Sequence, residues 1–93
     1  MAKSIMQEGR ECYFCGCVNN LEIHHVFGGV ANRQISERYG LKVLLCHECH
    51  TGQDGAQYDK EKNLKLKQDA QRAFERDHPR RMWMELIRKN YLG

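Results

Sequence analysis

The sequence predicts a small α+β fold, in which a two-stranded antiparallel hairpin is held together by cysteine pairs at its ends and is followed by helices. Two Cys-x-x-Cys pairs flank two β-prone segments, and the last third of the chain has the apolar spacing of helices. The chain has 93 residues, which is enough for one small domain. A core of that size is marginal, so an additional staple is expected.

The two cysteine pairs predict a structural zinc site. Zinc binds four ligands in a tetrahedron, and a Cys-x-x-Cys turn presents two thiolates to one ion. The predicted ligands are Cys12, Cys15, Cys46 and Cys49. A one-residue slip would use Cys17 in place of Cys15, and a histidine after the second pair could replace a cysteine. The alternative ligands are therefore Cys17, His47 and His50.

The hairpin is predicted from two segments between the cysteine pairs. Residues 21–27 alternate apolar and polar side chains, and residues 41–45 are β-prone, so both are predicted strands. Between them, residues 31–39 form a predicted short helix, with Gly40 at the position of a C-cap. Knuckles are predicted at 12–20 and 46–50, and a loop at 51–56.

Two helices are predicted after the second knuckle. Asp59 is a candidate N-cap for a helix at about 60–77, and Pro79 suits the first turn of a second helix at about 80–90. Their apolar residues recur at helical spacing, so one face of each helix is expected to be buried. The predicted core residues are Leu66, Ala70, Ala73, Phe74, Trp83, Leu86 and Ile87.

The predicted domain organisation is simple. Residues 1–11 are expected to be a flexible N-terminal lead-in, and residues 12–93 a single domain. Within it, the ββα core is expected at about 12–78 and a C-terminal helix at about 79–92.

Charge and cysteine content narrow the class of protein. The net charge is +3, but residues 60–93 carry ten Lys or Arg against five Asp or Glu. This balance suits nucleic acid, although a solvated helix face would look the same. There is no apolar run of the roughly 20 residues that span a bilayer, and the first residues have no apolar core of the length expected in a signal peptide. An intracellular, cytoplasmic location is expected, where paired thiols favour metal over disulfides.

Three histidines near the cysteines suggest a second site. His24 and His25 end the first predicted strand, and His50 follows Cys49 directly. A divalent ion held by His50 and one of the pair would lie beside the other, which could take a proton from water. These are the requirements for phosphodiester hydrolysis. The alternative is a non-catalytic zinc-binding adaptor for DNA or protein, with ordinary surface or core histidines.

These residues resemble the HNH endonuclease family, whose fold is the zinc-stapled ββα-metal finger. The matching segments are residues 12–15, 21–25 and 43–50, with a helix afterwards. Residues 25–29, 32–33, 36–37, 39–41 and 88–92 are similar to those of small family members encoded by phages and prophages. The resemblance therefore extends over most of the chain.

The resemblance implies a role for each histidine. His24 would be a metal ligand, His25 the general base and His50 the second metal ligand, for Mg²⁺, Mn²⁺ or another divalent ion. The Asn that orients the base in the family is predicted to be Asn32, with Asn63 as an outside candidate. The third ligand stays open between Gln57 and water, which Mg²⁺ tolerates.

DNA is the partner that the resemblance implies. Arg33, Arg38, Lys42 and the basic helices are candidate contacts to the phosphate backbone, with little sequence specificity expected. Phage packaging proteins are a further implied partner, for a nickase that works within a packaging motor.

Overall fold

Two short strands and four helices are present in the part of the chain that the computed structural model describes, residues 3–52, 55 and 59–92. The side chain of Val30 is not described. The elements are β1 Leu21–His25, α1 Val30–Tyr39, β2 Lys42–Cys46, α2 His47–Thr51, α3 Lys60–Glu75 and α4 Arg80–Ile87. They confirm the predicted α+β class. Within those residues, no helix has the length and apolar character needed to cross a membrane.

The strands β1 and β2 pair antiparallel, as predicted. His24 is opposite Val43 and His25 is opposite Lys42. Side chains alternate between the faces of a strand, so His24 shares its face with the buried Val43 and Leu45. This register places the two histidines at the end of the hairpin that leads into α1.

The connection between the strands is the short helix α1, which ends at Gly40. Gly40 adopts a left-handed conformation, with φ of 72°. A Cβ there would lie 2.1 Å from the carbonyl oxygen of Lys3, so only glycine fits. The predicted C-cap is therefore confirmed, and the N-terminal segment lies directly against it.

The core lies between the hairpin and α3. Leu66, Ala70, Ala73 and Phe74 are all buried, which confirms the predicted face of α3. Asp59 caps this helix through hydrogen bonds that it accepts from two backbone N–H groups. Trp83 of α4 is fully buried, and its ring lies 5.5 Å from that of Phe74. Helix α4 ends at Ile87, earlier than predicted, because Arg88 adopts a left-handed conformation.

The N-terminal segment, predicted to be a flexible lead-in, lies against the hairpin over its described residues. Ile5 N–H donates to Gly40 O at 3.0 Å, and Gln7 Oε1 accepts from Leu44 N–H at 2.9 Å. Ile5 and Met6 pack against the core. Because a small hairpin covers little apolar surface by itself, these two side chains gain burial by lying there.

Candidate metal centre and histidine cavity

Four cysteine sulfurs form a compact cluster at one end of the hairpin. The four Sγ atoms all lie within 4.8 Å of one another; they belong to Cys12, Cys15, Cys46 and Cys49. The Sγ atoms of Cys15 and Cys46 are 3.6 Å apart. Two thiolates on one tetrahedral zinc ion are roughly 3.8 Å apart, given a bond of about 2.3 Å. The cluster is therefore a candidate metal site whose donors are compatible with structural zinc.

The backbone around the first pair explains this convergence. Gly16 N–H donates to Cys12 O at 2.9 Å, and Cys12 N–H donates to Cys17 O at 2.8 Å, which closes a tight turn. Tyr13 N–H donates to Leu44 O at 2.8 Å, so the turn is fixed to β2. The second pair needs no such loop, because Cys46 ends β2 and Cys49 follows within α2.

The electrostatics of the cluster favour a bound cation. Burial raises the pKa of Cys12, but backbone hydrogen bonds outweigh it and lower this pKa to about 6. Burial and the neighbouring sulfurs raise the pKa of Cys49 well above its ordinary value. Four crowded thiols therefore resist losing all their protons by themselves. A divalent ion would remove that penalty, because it stabilises each thiolate directly.

The alternative cysteine ligand lies outside the cluster. Cys17 Sγ makes a hydrogen bond to Asn19 O at 3.7 Å. His47 and His50 also lie apart from the four sulfurs and instead share the carboxylate of Glu22. The structure thus brings together the two complete Cys-x-x-Cys pairs, and none of the alternative ligands.

A second feature, the histidine cavity, has a volume of about 510 Å³. The three predicted histidines line it, together with both candidate asparagines. Its polar and aromatic lining residues include His24, His25, His50, Asn32, Asn63, Lys67 and Tyr91. Although His24 and His25 belong to opposite faces of β1, both reach the cavity because it opens where the strand ends.

His24 has an unpaired nitrogen in this cavity. Its Nε2 is buried and has no hydrogen-bond partner, although most buried polar atoms have one. Burial lowers the pKa of His24 to about 4, with a smaller contribution from neighbouring cationic side chains. The ring is therefore neutral at pH 7, the form in which imidazole binds metals.

His50 lies next to His24 and is held by a carboxylate. The two ring centroids are 5.1 Å apart, with the rings edge to face. His50 Nδ1 lies 2.8 Å from Glu22 Oε1, so Nδ1 carries the hydrogen that the carboxylate accepts. This leaves Nε2 of His50 with its lone pair free, as in metal-binding histidines held by a carboxylate.

His25 forms a separate hydrogen-bonded pair with Glu37 of α1. Its Nε2 lies 2.6 Å from Glu37 Oε2, and Lys42 Nζ donates to Glu37 Oε1 at 2.9 Å. Hydrogen bonds from Lys42 and His25 lower the pKa of Glu37. An ionised carboxylate only accepts, so Nε2 of His25 carries the hydrogen and Nδ1 keeps its lone pair. Nδ1 makes no hydrogen bond with any described residue.

No family model, curated protein or solved structure matches this chain. The resemblance to HNH endonucleases therefore stays a prediction, based on the residues that carry it.

The remaining predicted site residues have different surroundings. Asn32 and Asn63 both line the histidine cavity, but the hydrogen-bond partner of His25 is Glu37. Gln57, the weak candidate for a third ligand, lies outside the described residues. These positions leave the identity of an orienting amide and of a third ligand as predictions.

The predicted DNA contacts also differ in exposure. Arg33 and Arg38 are exposed on α1. Lys42, in contrast, is paired with Glu37, and only 12% of its side chain is exposed. Its surroundings therefore suit a role in holding Glu37 rather than a contact with a phosphate.

Sequence reasoning missed both carboxylates that hold the histidines. Glu22 alternates with the apolar residues of β1, and its position two residues before His24 is a local signal that could have pointed to it. Glu37 is twelve residues from His25, and only the path of the chain through α1 brings them together.

Proposed function

We propose that the protein is a metal-dependent DNA endonuclease of the HNH type, in which a zinc-stapled ββα-metal finger holds three catalytic histidines in register. The observation that supports this most is the histidine cavity itself. His24, His25 and His50 line one cavity, and each has at least one ring nitrogen without a partner among the described residues. A zinc-binding adaptor would have no need for that arrangement.

The residues fit the two metals that this function implies. The four cysteines have the donor set and spacing of a structural zinc site. His24 and His50 would hold the catalytic ion, since the unpaired, buried Nε2 of His24 is a donor without any other use. When bound, a divalent ion such as Mg²⁺ or Mn²⁺ supplies positive charge to the phosphate and to the leaving 3′ oxygen.

His25 supplies the proton transfer in this mechanism. Its Nδ1 takes a proton from a water molecule, and the resulting hydroxide forms a new bond to phosphorus. The bond from phosphorus to the 3′ oxygen breaks, which leaves a 5′-phosphate and a 3′ oxyanion. The oxyanion takes a proton from a second water molecule to become the 3′-hydroxyl. Glu37 holds the ring in the required tautomer and stabilises the imidazolium that forms, at a distance of 2.6 Å.

Glu22 and Lys42 act through other residues. Glu22 fixes the tautomer of His50 and so aims its Nε2 into the cavity. Lys42 keeps Glu37 ionised and turned toward His25. Each catalytic histidine that opposes a carboxylate is therefore held by an anion at one nitrogen and left open at the other.

Plasmid cleavage tests the proposal. Supercoiled DNA is incubated with the zinc-bound protein and Mg²⁺ or Mn²⁺, and nicked and linear products are measured over time. We expect cleavage by the wild type and a loss of about 100-fold or more in His25→Ala, the lower end of general-base effects. His47→Ala is the matched control, because His47 is 62% exposed and does not line the cavity. It contacts Glu22 through Oε2 only, so the 2.8 Å contact between Oε1 and His50 is kept.

Two results would count against the proposal in different ways. If His25→Ala cuts as fast as the wild type, the assignment of the base is wrong. If the folded, zinc-bound wild type does not cut DNA in the presence of Mg²⁺ or of Mn²⁺, the proposal of an endonuclease fails. The zinc-binding adaptor is then the better interpretation.

A further inference from the structure

We propose that Lys67 and Lys89, whose ammonium groups both lie close to the ring of Tyr91 on the wall of the histidine cavity, form a contact site for the phosphate backbone of double-stranded DNA. This inference rests on the proposed function, because it names how that function's substrate is held. It assigns the main phosphate contact to the C-terminal tail, residues 88–92, and the neighbouring turn of α3. The sequence alone distributes this role over Arg33, Arg38, Lys42 and the basic helices.

The position of the two lysines is the first reason. Lys67 and Tyr91 line the same cavity as His24 and His50. Lys67 Nζ lies 5.7 Å from the centroid of the Tyr91 ring, and Lys89 Nζ lies 5.2 Å from it. Two ammonium groups are thus gathered at one aromatic ring, at the edge of the candidate catalytic site.

The second reason is that these two cations have no anionic partner among the residues described. By contrast, Lys65 and Arg72 of α3 both pair with Asp69, and Arg80 of α4 pairs with Glu75. A paired cation is already partly neutralised, so it gains less from a phosphate. Lys67 and Lys89 repel one another, and a polyanion between them would relieve that repulsion.

A buried polar network holds the tail in place. Gln71 is fully buried, its Nε2 donates to Asn90 Oδ1 at 2.8 Å, and its Oε1 accepts from Tyr91 N–H at 2.8 Å. Gln68 Nε2 donates to Tyr91 O at 3.1 Å.

The indole of Trp83 holds the backbone of Lys89. Its Nε1–H donates to Lys89 O at 2.8 Å, and Trp83 is itself fully buried. The backbone that carries both Lys89 and Tyr91 is therefore fixed to α3 and α4. Cations on a fixed backbone lose less entropy on binding a phosphate than cations on a loose tail.

Duplex DNA fits this arrangement better than a small anion. A single phosphate could satisfy the histidine cavity, but Lys89 is exposed and does not line that cavity. A backbone that runs from the cavity past Tyr91 would bring successive phosphates to both lysines. These contacts carry no sequence information, in agreement with the weak specificity expected of the enzyme.

The salt dependence of DNA binding tests the inference. A fluorescent duplex is titrated with the zinc-bound protein, without added Mg²⁺ or Mn²⁺, at salt concentrations between about 50 and 200 mM. Each phosphate contact contributes about 0.9 to the slope of log affinity against log salt. We expect the double variant Lys67→Gln, Lys89→Gln to lower the magnitude of this slope by about 1.8.

Two further variants separate charge at this site from charge in general. Lys65→Gln removes one charge from the same helix, at a residue that is already paired with Asp69, so its slope should stay near that of the wild type. Lys67→Arg with Lys89→Arg keeps both charges and should keep the wild-type slope. The inference is overturned if the Gln pair matches Lys65→Gln, if the Arg pair loses as much as the Gln pair, or if the wild type does not bind duplex DNA.

Cleavage measured in parallel keeps this test separate from that of the proposed function. Cleavage by the wild type with an unchanged slope in the Gln pair would leave the endonuclease standing and overturn the contact site. A reduced slope without cleavage under either ion would support the contact site, even though the endonuclease had failed.

Discussion

Replacing Glu37 by glutamine should impair cleavage more than replacing it by alanine, and the reason lies in Lys42. Lys42 Nζ donates to one oxygen of Glu37 at 2.9 Å, while the other oxygen lies 2.6 Å from His25 Nε2. An ammonium group only donates, so the amide of Glu37→Gln must turn its oxygen toward Lys42. Its NH₂ group then faces His25. Nε2 must accept, and the proton moves to Nδ1.

The magnitude follows from the loss of the base. With a proton on Nδ1, His25 has no lone pair for the attacking water. A positioned general base is worth about 10²- to 10⁴-fold, which is about 3 to 5 kcal/mol of barrier. Glu37→Ala removes the carboxylate without forcing the wrong tautomer, so its loss should lie at the lower end of that range.

The assay is the initial rate of plasmid cleavage at saturating Mg²⁺ or Mn²⁺. Glu85→Gln, at an exposed glutamate of α4, is the matched control and should cut like the wild type. Adding Lys42→Met to Glu37→Gln lets the amide turn, so part of the rate should return. A Glu37→Gln variant that cuts at the wild-type rate, or faster than Glu37→Ala, would refute the reasoning about the tautomer.

Two further predictions concern stability. Removing the metal from the cysteine cluster with a strong chelator should abolish most of the far-UV helical signal, because metal binding here contributes to folding. Added zinc should restore the signal. An unchanged spectrum would contradict a structural zinc site. Hydrogen bonds from Arg80 and Gln71 lower the pKa of Glu75 from 4.5. The ion pair between Arg80 and Glu75 therefore stabilises the fold above about pH 4.5, and this stabilisation is lost in acid, when Glu75 is protonated. In urea unfolding, Glu75→Gln should be less stable than the wild type at neutral pH, and a gap that persists in acid would argue against the ion pair.

Features coded by nearby residues were predictable from the sequence. The spacing of Leu66, Ala70 and Phe74 defines one helix face whatever that face packs against, and all three are buried. Gly40 was predicted as a C-cap because the residue directly after a helix often adopts a left-handed conformation, which glycine favours. The cysteine pairs were predictable because each Cys-x-x-Cys turn is local, and the hairpin only has to bring two of them together.

Features that depend on the path of the chain were not predictable. Glu37 meets His25 because α1 folds back beside β1, and nothing within a few residues of either signals that contact. The same holds for the N-terminal segment, whose polar composition suggested a loose end. Its contacts arise from backbone groups of β2, and these groups become available only when the hairpin exists.

The contacts of the N-terminal segment also cover the outer edge of β2. Along the outer edge of β2, Ser4 Oγ donates to Lys42 O, Gln7 Oε1 accepts from Leu44 N–H, and Tyr13 N–H donates to Leu44 O. An open strand edge is a template for pairing with another chain, and this one has no vacant donor or acceptor at Leu44. A shortened chain that began at Cys12 would uncover Lys42 O and Leu44 N–H. Self-association would then be the first consequence of truncation.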